Sequence, residues 1–353
     1  MKISDNKVKM PFVESKRPDM NYIAELLEQC IETNMWANRG PLYYLLTEKY
    51  EKHFNLSVGL AITPCANGGI GLEAIAKFLE IKFGRPIRWA ASSFSFNNLG
   101  RGYFSDMQFV DCTREGILNL EALEQLGLNN FDGFIVTNPF GAWKDFGPFI
   151  EFAKKHEKFM VIDNAAGLND RVSDWPYQSF SLHHTKPYGA GEGGLILSPK
   201  DETDAIYNLL NYGPIKASER KQWINNGKVS DIACAFQIDR LNRVNEWKPL
   251  YLEQIERVTK IAAKAGLQPL YSFDDITPAT SLPFCAAYPV RQEDVDAAQH
   301  LMLAKYYLPL ANTPNCVDIY HRLVNIPCHP DVSYLTEEIL LEDFSRLTQK
   351  HNA

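Results

Sequence analysis

The sequence predicts an α/β protein, with a large domain built on an open, mostly parallel sheet flanked by helices and a smaller α+β C-terminal domain. Three observations lead there. From about residue 58, short apolar runs alternate with amphipathic stretches, the pattern of strand–helix units laid side by side. Beyond about residue 245 the texture changes. At 353 residues, with 45% hydrophobic and 22% charged side chains, the chain is long enough for a large domain and a smaller one, and has an ordinary globular composition.

The elements follow in chain order. Residues 20–33 and 43–54 carry apolar residues at helical spacing, and the turn Asn38-Arg-Gly-Pro41 separates them. Strands are expected at 58–62, 108–110, 134–136, 159–162 and 195–197. Helices are expected at 71–83, 120–126 and 149–156. An amphipathic segment at 247–265 opens the C-terminal region. It leads to Leu282-Pro-Phe-Cys-Ala-Ala-Tyr-Pro289, a helical stretch at 293–304, Pro327-Cys-His-Pro330 and a final helix at 336–348. The expected division is 1–245 for a large domain with an N-terminal helical arm, and 246–353 for a small one.

Composition excludes several classes. A net charge of −7 argues against a nucleic-acid surface or a polybasic membrane face. No apolar run approaches the roughly 20 residues that span a bilayer, and Met1-Lys-Ile-Ser-Asp-Asn-Lys7 lacks the apolar stretch of a signal peptide, so the expected location is cytoplasmic. The seven cysteines are scattered without a Cys-x-x-Cys spacing. They read as small core residues in a reducing compartment.

One segment carries chemistry, Ser179-Phe-Ser-Leu-His-His-Thr-Lys186-Pro-Tyr-Gly-Ala-Gly-Glu-Gly-Gly194. It sets a single lysine between a hydroxyl-rich approach and a glycine-rich exit. Such a lysine suits an amine held against an aldehyde cofactor, and pyridoxal phosphate is the standard case. That cofactor also needs a carboxylate for its pyridine nitrogen, a phosphate cradle and a flat group on the ring face. Asp163 ends an apolar strand, where a carboxylate points into the crevice used by α/β proteins. The turn Asn67-Gly68-Gly69-Ile70-Gly71 opens a helix whose N–H groups suit a phosphate, with Ser181 adding a hydroxyl. Phe94 and Phe96 offer rings, Phe96 being preferred. His183 and His184 lack a helix-spaced partner pair for a metal, and Glu192 reads as a loop-ordering carboxylate.

Together these residues resemble the DegT/DnrJ/EryC1/StrS family of sugar aminotransferases, within the fold-type I pyridoxal phosphate enzymes. The resemblance rests on Gly40-Pro41, Asn67 to Leu72, Ser95-Phe96, Ser181 to Lys186, Gly191-Glu-Gly-Gly194, Asn226-Gly-Lys-Val-Ser-Asp231, Tyr306 to Pro309 and Asn325 to Pro330. Gly69 replaces the family's phosphate-turn threonine. Against the family's Glu-Asp-x-Ala-Gln, this chain has Ile162-Asp163-Asn164-Ala-Ala-Gly167, and Asp163 rather than Asn164 is taken as the pyridine partner. The resemblance implies transfer of an amino group from glutamate to a nucleotide-linked keto-sugar, in amino-sugar synthesis for a surface polysaccharide such as lipopolysaccharide O-antigen. It also implies a homodimer in which Asn226 reaches the phosphate of the neighbouring subunit. The family includes sugar dehydratases in which histidine replaces the lysine, and the alternative from a different class is a non-catalytic or regulatory member that only binds the cofactor. Lys186 argues against the first.

Overall fold

A computed structural model describes residues 9–213, 225–273 and 277–349. Seven strands form the main sheet: β1 (Leu60–Cys65), β2 (Trp89–Ser92), β3 (Gln108–Val110), β4 (Gly133–Thr137), β5 (Phe159–Asp163), β6 (Gln178–Ser181) and β7 (Gly194–Pro199). Their order is β1-β7-β6-β5-β4-β2-β3. Pairing is parallel from β3 across to β6, while β7 runs antiparallel to both β6 and β1. The strands β1, β2, β4, β5 and β6 therefore end, and β7 begins, along one edge.

Both faces of the sheet are buried, and successive residues feed opposite cores. Ala91, Ile135, Val161 and Ile196 pack with Leu72, Ile75 and Leu79 of α3 (Gly68–Phe83) and with Leu209 of α6 (Thr203–Leu210). Ala90, Phe134, Val136, Met160 and Ile162 pack with Leu123 of α4 (Leu120–Leu126) and with Phe149 and Phe152 of α5 (Gly147–Lys155). The period-two alternation of side chains produces this division, and crossover helices cover parallel strands on both sides.

Two helices precede the sheet. In α1 (Met20–Thr33) the apolar stripe Ile23, Leu26, Cys30 is buried, Asp19 accepts from the N–H groups of Asn21 and Tyr22, and Asn34 closes the helix at φ 52°. In α2 (Pro41–Phe54), Pro41 opens the first turn. The carboxylate of Asp231 accepts from Leu42 and Tyr43 N–H at 2.8 and 3.2 Å. Asp231 starts α7 (Asp231–Asn242), which packs on α1 and α2.

From α8 (Val244–Lys264) onward the chain builds a second core around the antiparallel sheet β10-β9-β8, in which β8 is Gln268–Pro269, β9 Ser281–Cys285 and β10 Leu323–Pro327. The remaining helices are α9 (Gln292–Asp296), α10 (Pro314–Arg322) and α11 (Glu337–Leu347). The N-terminal arm joins this region, since Met10 bridges Leu301 in parallel and packs on its core.

Two expectations are corrected. The first strand begins at Leu60, because Val58 is fully exposed. The helical stretch expected to Ala304 ends at Asp296. There the carboxylate of Asp343 takes the N–H groups of Gln299, His300 and Leu301, and the chain extends to meet Met10. All seven cysteines are buried and unpaired, and no helix among the described residues is long and apolar enough to cross a membrane.

Candidate active site

The candidate residues gather along the edge where the strands end. Lys186 lies in the turn between β6 and β7, whose antiparallel pairing continues outward through Leu182 N–H to Gly193 and His184 N–H to Gly191. At the tip, Lys186 N–H donates to His183 at 2.8 Å and Gly189 N–H to Lys186 at 2.9 Å. Glycine is required inside this turn: a Cβ on Gly189 would lie 2.0 Å from the His183 carbonyl oxygen. Among the described residues the Lys186 amine has neither a hydrogen bond nor an ion pair. Burial lowers its pKa, opposed by the nearby Asp163.

Asp163 ends β5 and is 5% exposed. Oδ1 accepts one hydrogen bond, from Ala165 N–H at 3.3 Å. Burial pushes its pKa up to about 6, against the Ala165 hydrogen bond and the charge of Lys186. Tyr307 packs within electrostatic reach of the same carboxyl and stacks on Phe140 at 5.0 Å. Asn164 turns the other way: its Oδ1 accepts from Asn138 Nδ2 at 2.8 Å, and its own Nδ2 donates to Gln178 at 3.2 Å. The neutral neighbour is thus used up in a structural network, while the carboxylate is left with a charge that its surroundings do not balance.

The glycine turn stands beside them. Asn67 caps α3, its Oδ1 taking the Ile70 N–H at 2.9 Å. The Gly69 N–H has no hydrogen-bond partner among the described residues. Close packing brings this helix start onto the lysine segment. A Cβ on Gly194 would lie 2.4 Å from the Asn67 carbonyl carbon, and one on Gly68 would lie 3.1 Å from the Phe180 carbonyl oxygen. Ser181 sits at this junction, its hydroxyl accepting from His183 N–H at 3.2 Å.

Phe94 and Phe96 divide. Phe94 is fully buried in the seam between the two regions, whereas Phe96 is exposed, edge-on to Tyr307 at 6.3 Å. Three buried polar atoms along this edge lack partners among the described residues: Ser95 Oγ, Asn98 Oδ1 and Thr137 Oγ1. A buried polar atom left unpaired is costly. An uncompensated carboxylate, an unpartnered amine and orphaned oxygens together fit a polar, charged group lying between α3 and β5. Asn226 is exposed next to Gly227, which packs on Ile70. His183 bonds Thr185 Oγ1 at 2.9 Å and pairs with Glu192 at 3.3 Å, giving Glu192 the loop-ordering position expected of it. Among the described residues no group of three His, Cys, Asp or Glu is arranged to hold a metal ion.

Residues 19–339 match the DegT/DnrJ/EryC1/StrS aminotransferase family. The chain belongs to that family. It is 25% identical over 299 residues to Protein Rv3402c of Mycobacterium tuberculosis H37Rv, covering 79% of this chain and 70% of the relative. Its fold is similar to that of a candidate PLP-dependent aminotransferase from Bacillus cereus ATCC 10987, with a TM-score of 0.81, 20% identity and coverage of 97% and 100%. It is also similar to that of DesI, solved in the presence of its TDP-sugar product, with a TM-score of 0.77, 16% identity and coverage of 94% and 90%. The α/β architecture is thus that of the fold-type I aminotransferases.

Around this family frame lie residues that motif reading missed. Lys16 Nζ donates to the carbonyls of His184, Lys186 and Gly189 at 2.7, 2.5 and 2.6 Å. Gln237 Nε2 reaches Leu182, Ala190 and Glu192, and Arg240 Nε reaches Pro187 at 2.8 Å. Thr280 donates to Thr185 at 2.6 Å. Buried Glu14 accepts from Arg240 at 2.8 Å and from Tyr251 at 2.9 Å. One sequence signal existed: Gln237 and Arg240 are polar residues three apart on the apolar face of a helix.

Proposed function

We propose that this chain is a pyridoxal-phosphate-dependent aminotransferase that moves an amino group from L-glutamate to a nucleotide-linked keto-sugar. The observation that carries the reading is the nearness of Lys186 to Asp163. A buried carboxylate at a strand end lies within electrostatic reach of an amine of lowered pKa, and among the described residues neither side chain is neutralised by a hydrogen-bonded partner. Membership in an aminotransferase family and the TDP-sugar seen with DesI support the substrate class.

The cofactor, when bound, supplies an aldehyde that captures amines and a protonated ring that withdraws electrons. Lys186 would hold the cofactor through Nζ. Its lowered pKa keeps that amine available to take and return a proton. Asp163 would keep the ring nitrogen protonated, and that cation would balance the buried negative charge of its carboxylate. The unpartnered Gly69 N–H, Ile70 behind it and the Ser181 hydroxyl receive the phosphate at the positive end of α3. Phe96 lies open for stacking. Asn226 of the partner subunit would complete the phosphate site in a homodimer, and its exposure fits that use. The division of labour places a large cofactor-binding domain in residues 1–245 and a small domain in 246–353.

Reconstitution with pyridoxal phosphate tests this. The expected result is a visible absorbance band that borohydride fixes as one label per chain on Lys186. L-glutamate is expected to bleach the band, and a nucleotide keto-sugar to restore it. A reconstituted protein with no band, or with the label on another lysine, would overturn the cofactor assignment. A stable band that no amino donor bleaches would leave a binding protein in place of a transaminase.

A further inference from the structure

The turn that carries Lys186 has almost no regular structure, yet its carbonyls are nearly all occupied. Those of His183, Gly191 and Gly193 are taken inside the turn. Side chains from three distant segments take the rest: Gln237 and Arg240 from α7, Thr280 from just before β9, and Lys16 from the N-terminal arm. Lys16 reaches furthest along the chain. Its amine serves three carbonyls, as the amide of Gln237 does, but one of them is that of Lys186 itself, and they lie 168 to 173 residues away in sequence. Three acceptors match the three N–H donors of an ammonium group and exceed the two of a neutral amine. Burial and the neighbouring Arg240 push its pKa down to about 7, and Glu14 opposes them. The carbonyls and Glu14 are what hold the charged form in place.

We propose that Lys16 is a positioning residue, a cation that fixes the backbone of the Lys186 turn and so sets where the Lys186 amine stands. The Glu14–Arg240 pair is its support, since Glu14 anchors Arg240 and Arg240 grips Pro187 beside the lysine. Among the described residues the arm carrying Lys16 makes no strand with the main sheet, so its role at this turn is separable from that sheet. The proposal rests on Lys186 as the reacting amine, but its test needs no cofactor.

Hydrogen exchange on the full-length, cofactor-free protein reads the turn directly. In Lys16→Met the amides of residues 184–190 are expected to exchange roughly tenfold faster or more, because charge-assisted hydrogen bonds are lost there. Peptides from β5 and α5 should be unchanged. Lys16→Arg, which keeps a cation with several donors, is expected to recover most of the protection. Competitive labelling with an amine reagent gives a second readout: the pH midpoint for Lys186 should move up towards that of an ordinary lysine as the turn opens. Should Lys16→Met fail to fold, Lys16→Gln carries the test, with exchange at the turn between that of wild type and of a free loop. Wild-type exchange and labelling in the variant would overturn the proposal, as would acceleration spread evenly over the whole chain. If the turn loosens as expected but Lys186 never takes pyridoxal phosphate, the proposed function falls and the role of Lys16 stands.

Discussion

Asp163 is the residue whose chemistry is most sharply set by its surroundings. Its pKa is raised to about 6 by burial, so the folded chain binds a proton more tightly than the unfolded chain does. Between pH about 4 and 6 the native state holds the extra proton, and stability falls as pH rises through that window. Above it the penalty is constant. Asp163→Asn is therefore expected to stabilise the cofactor-free protein at pH 7.5 by about 1–3 kcal/mol, and to change little at pH 4, as read from denaturant midpoints. With cofactor the same substitution should act in the opposite direction, speeding cofactor loss on dilution. A variant less stable than wild type in the empty state at pH 7.5 would show that the carboxylate is balanced after all. Gly194 makes a second residue-scale case. Its added Cβ would meet backbone atoms of Asn67 and Gly68, which cannot swing aside. Gly194→Ala should cost about 1–3 kcal/mol or more, measured as a lower midpoint, and should weaken phosphate-dependent cofactor retention by displacing the start of α3.

Among the elements, α2 depends on a cap from far along the chain. Asp231→Ala should cost about 1–2 kcal/mol by orphaning the Leu42 and Tyr43 N–H groups. Asp231→Asn, which keeps an acceptor, should retain most of that stability, and thermal melts of the two variants distinguish cap from charge. Gly40 belongs to the same device, since a Cβ there would sit 2.5 Å from the Asp231 carboxylate. The motif Gly40-Pro41 and the stretch ending at Asp231 were thus legible as a family likeness before their joint purpose was visible. Elements with complete local signals were also legible. The span of α1 follows from Asp19, the buried stripe and Asn34. By contrast β2 and β6 carry weak local signals: Trp89-Ala-Ala-Ser92 is short and mostly small residues, and Gln178-Ser-Phe-Ser181 buries polar side chains that tertiary hydrogen bonds satisfy, such as Ser179 Oγ to the Gly68 carbonyl at 2.5 Å. The stretch after Asp296 misled because helical periodicity was overruled by Asp343. In the site, Lys186, Asp163 and the glycine turn each stand in a telling local context. Lys16, Gln237 and Arg240 act on backbone carbonyls remote in sequence; the spacing of the last two on an apolar helix face is a signal, and nothing beside Lys16 marks its use.

For the whole molecule, the arrangement ties the N-terminal arm to segments far along the chain. The arm pairs with Leu301 through Met10, grips the Lys186 turn through Lys16 and enters the buried pair with Arg240 through Glu14. A chain lacking its first 18 residues would keep every strand of the main sheet. It is expected to fold with native secondary structure by circular dichroism, yet to lose exchange protection at residues 184–190 and to hold pyridoxal phosphate weakly. Loss of the sheet itself would mean that the arm contributes to global stability.

The grip of Lys16 on a turn 168 residues later also has a consequence in time. At ribosomal speeds, roughly 10–30 s separate the appearance of the two. Throughout that interval the arm has no place to dock, and α2 likewise waits for Asp231. The contacts that hold the turn are complete only once the arm reaches back over it. Residues 10–16 thus wait for contacts with segments made well after them.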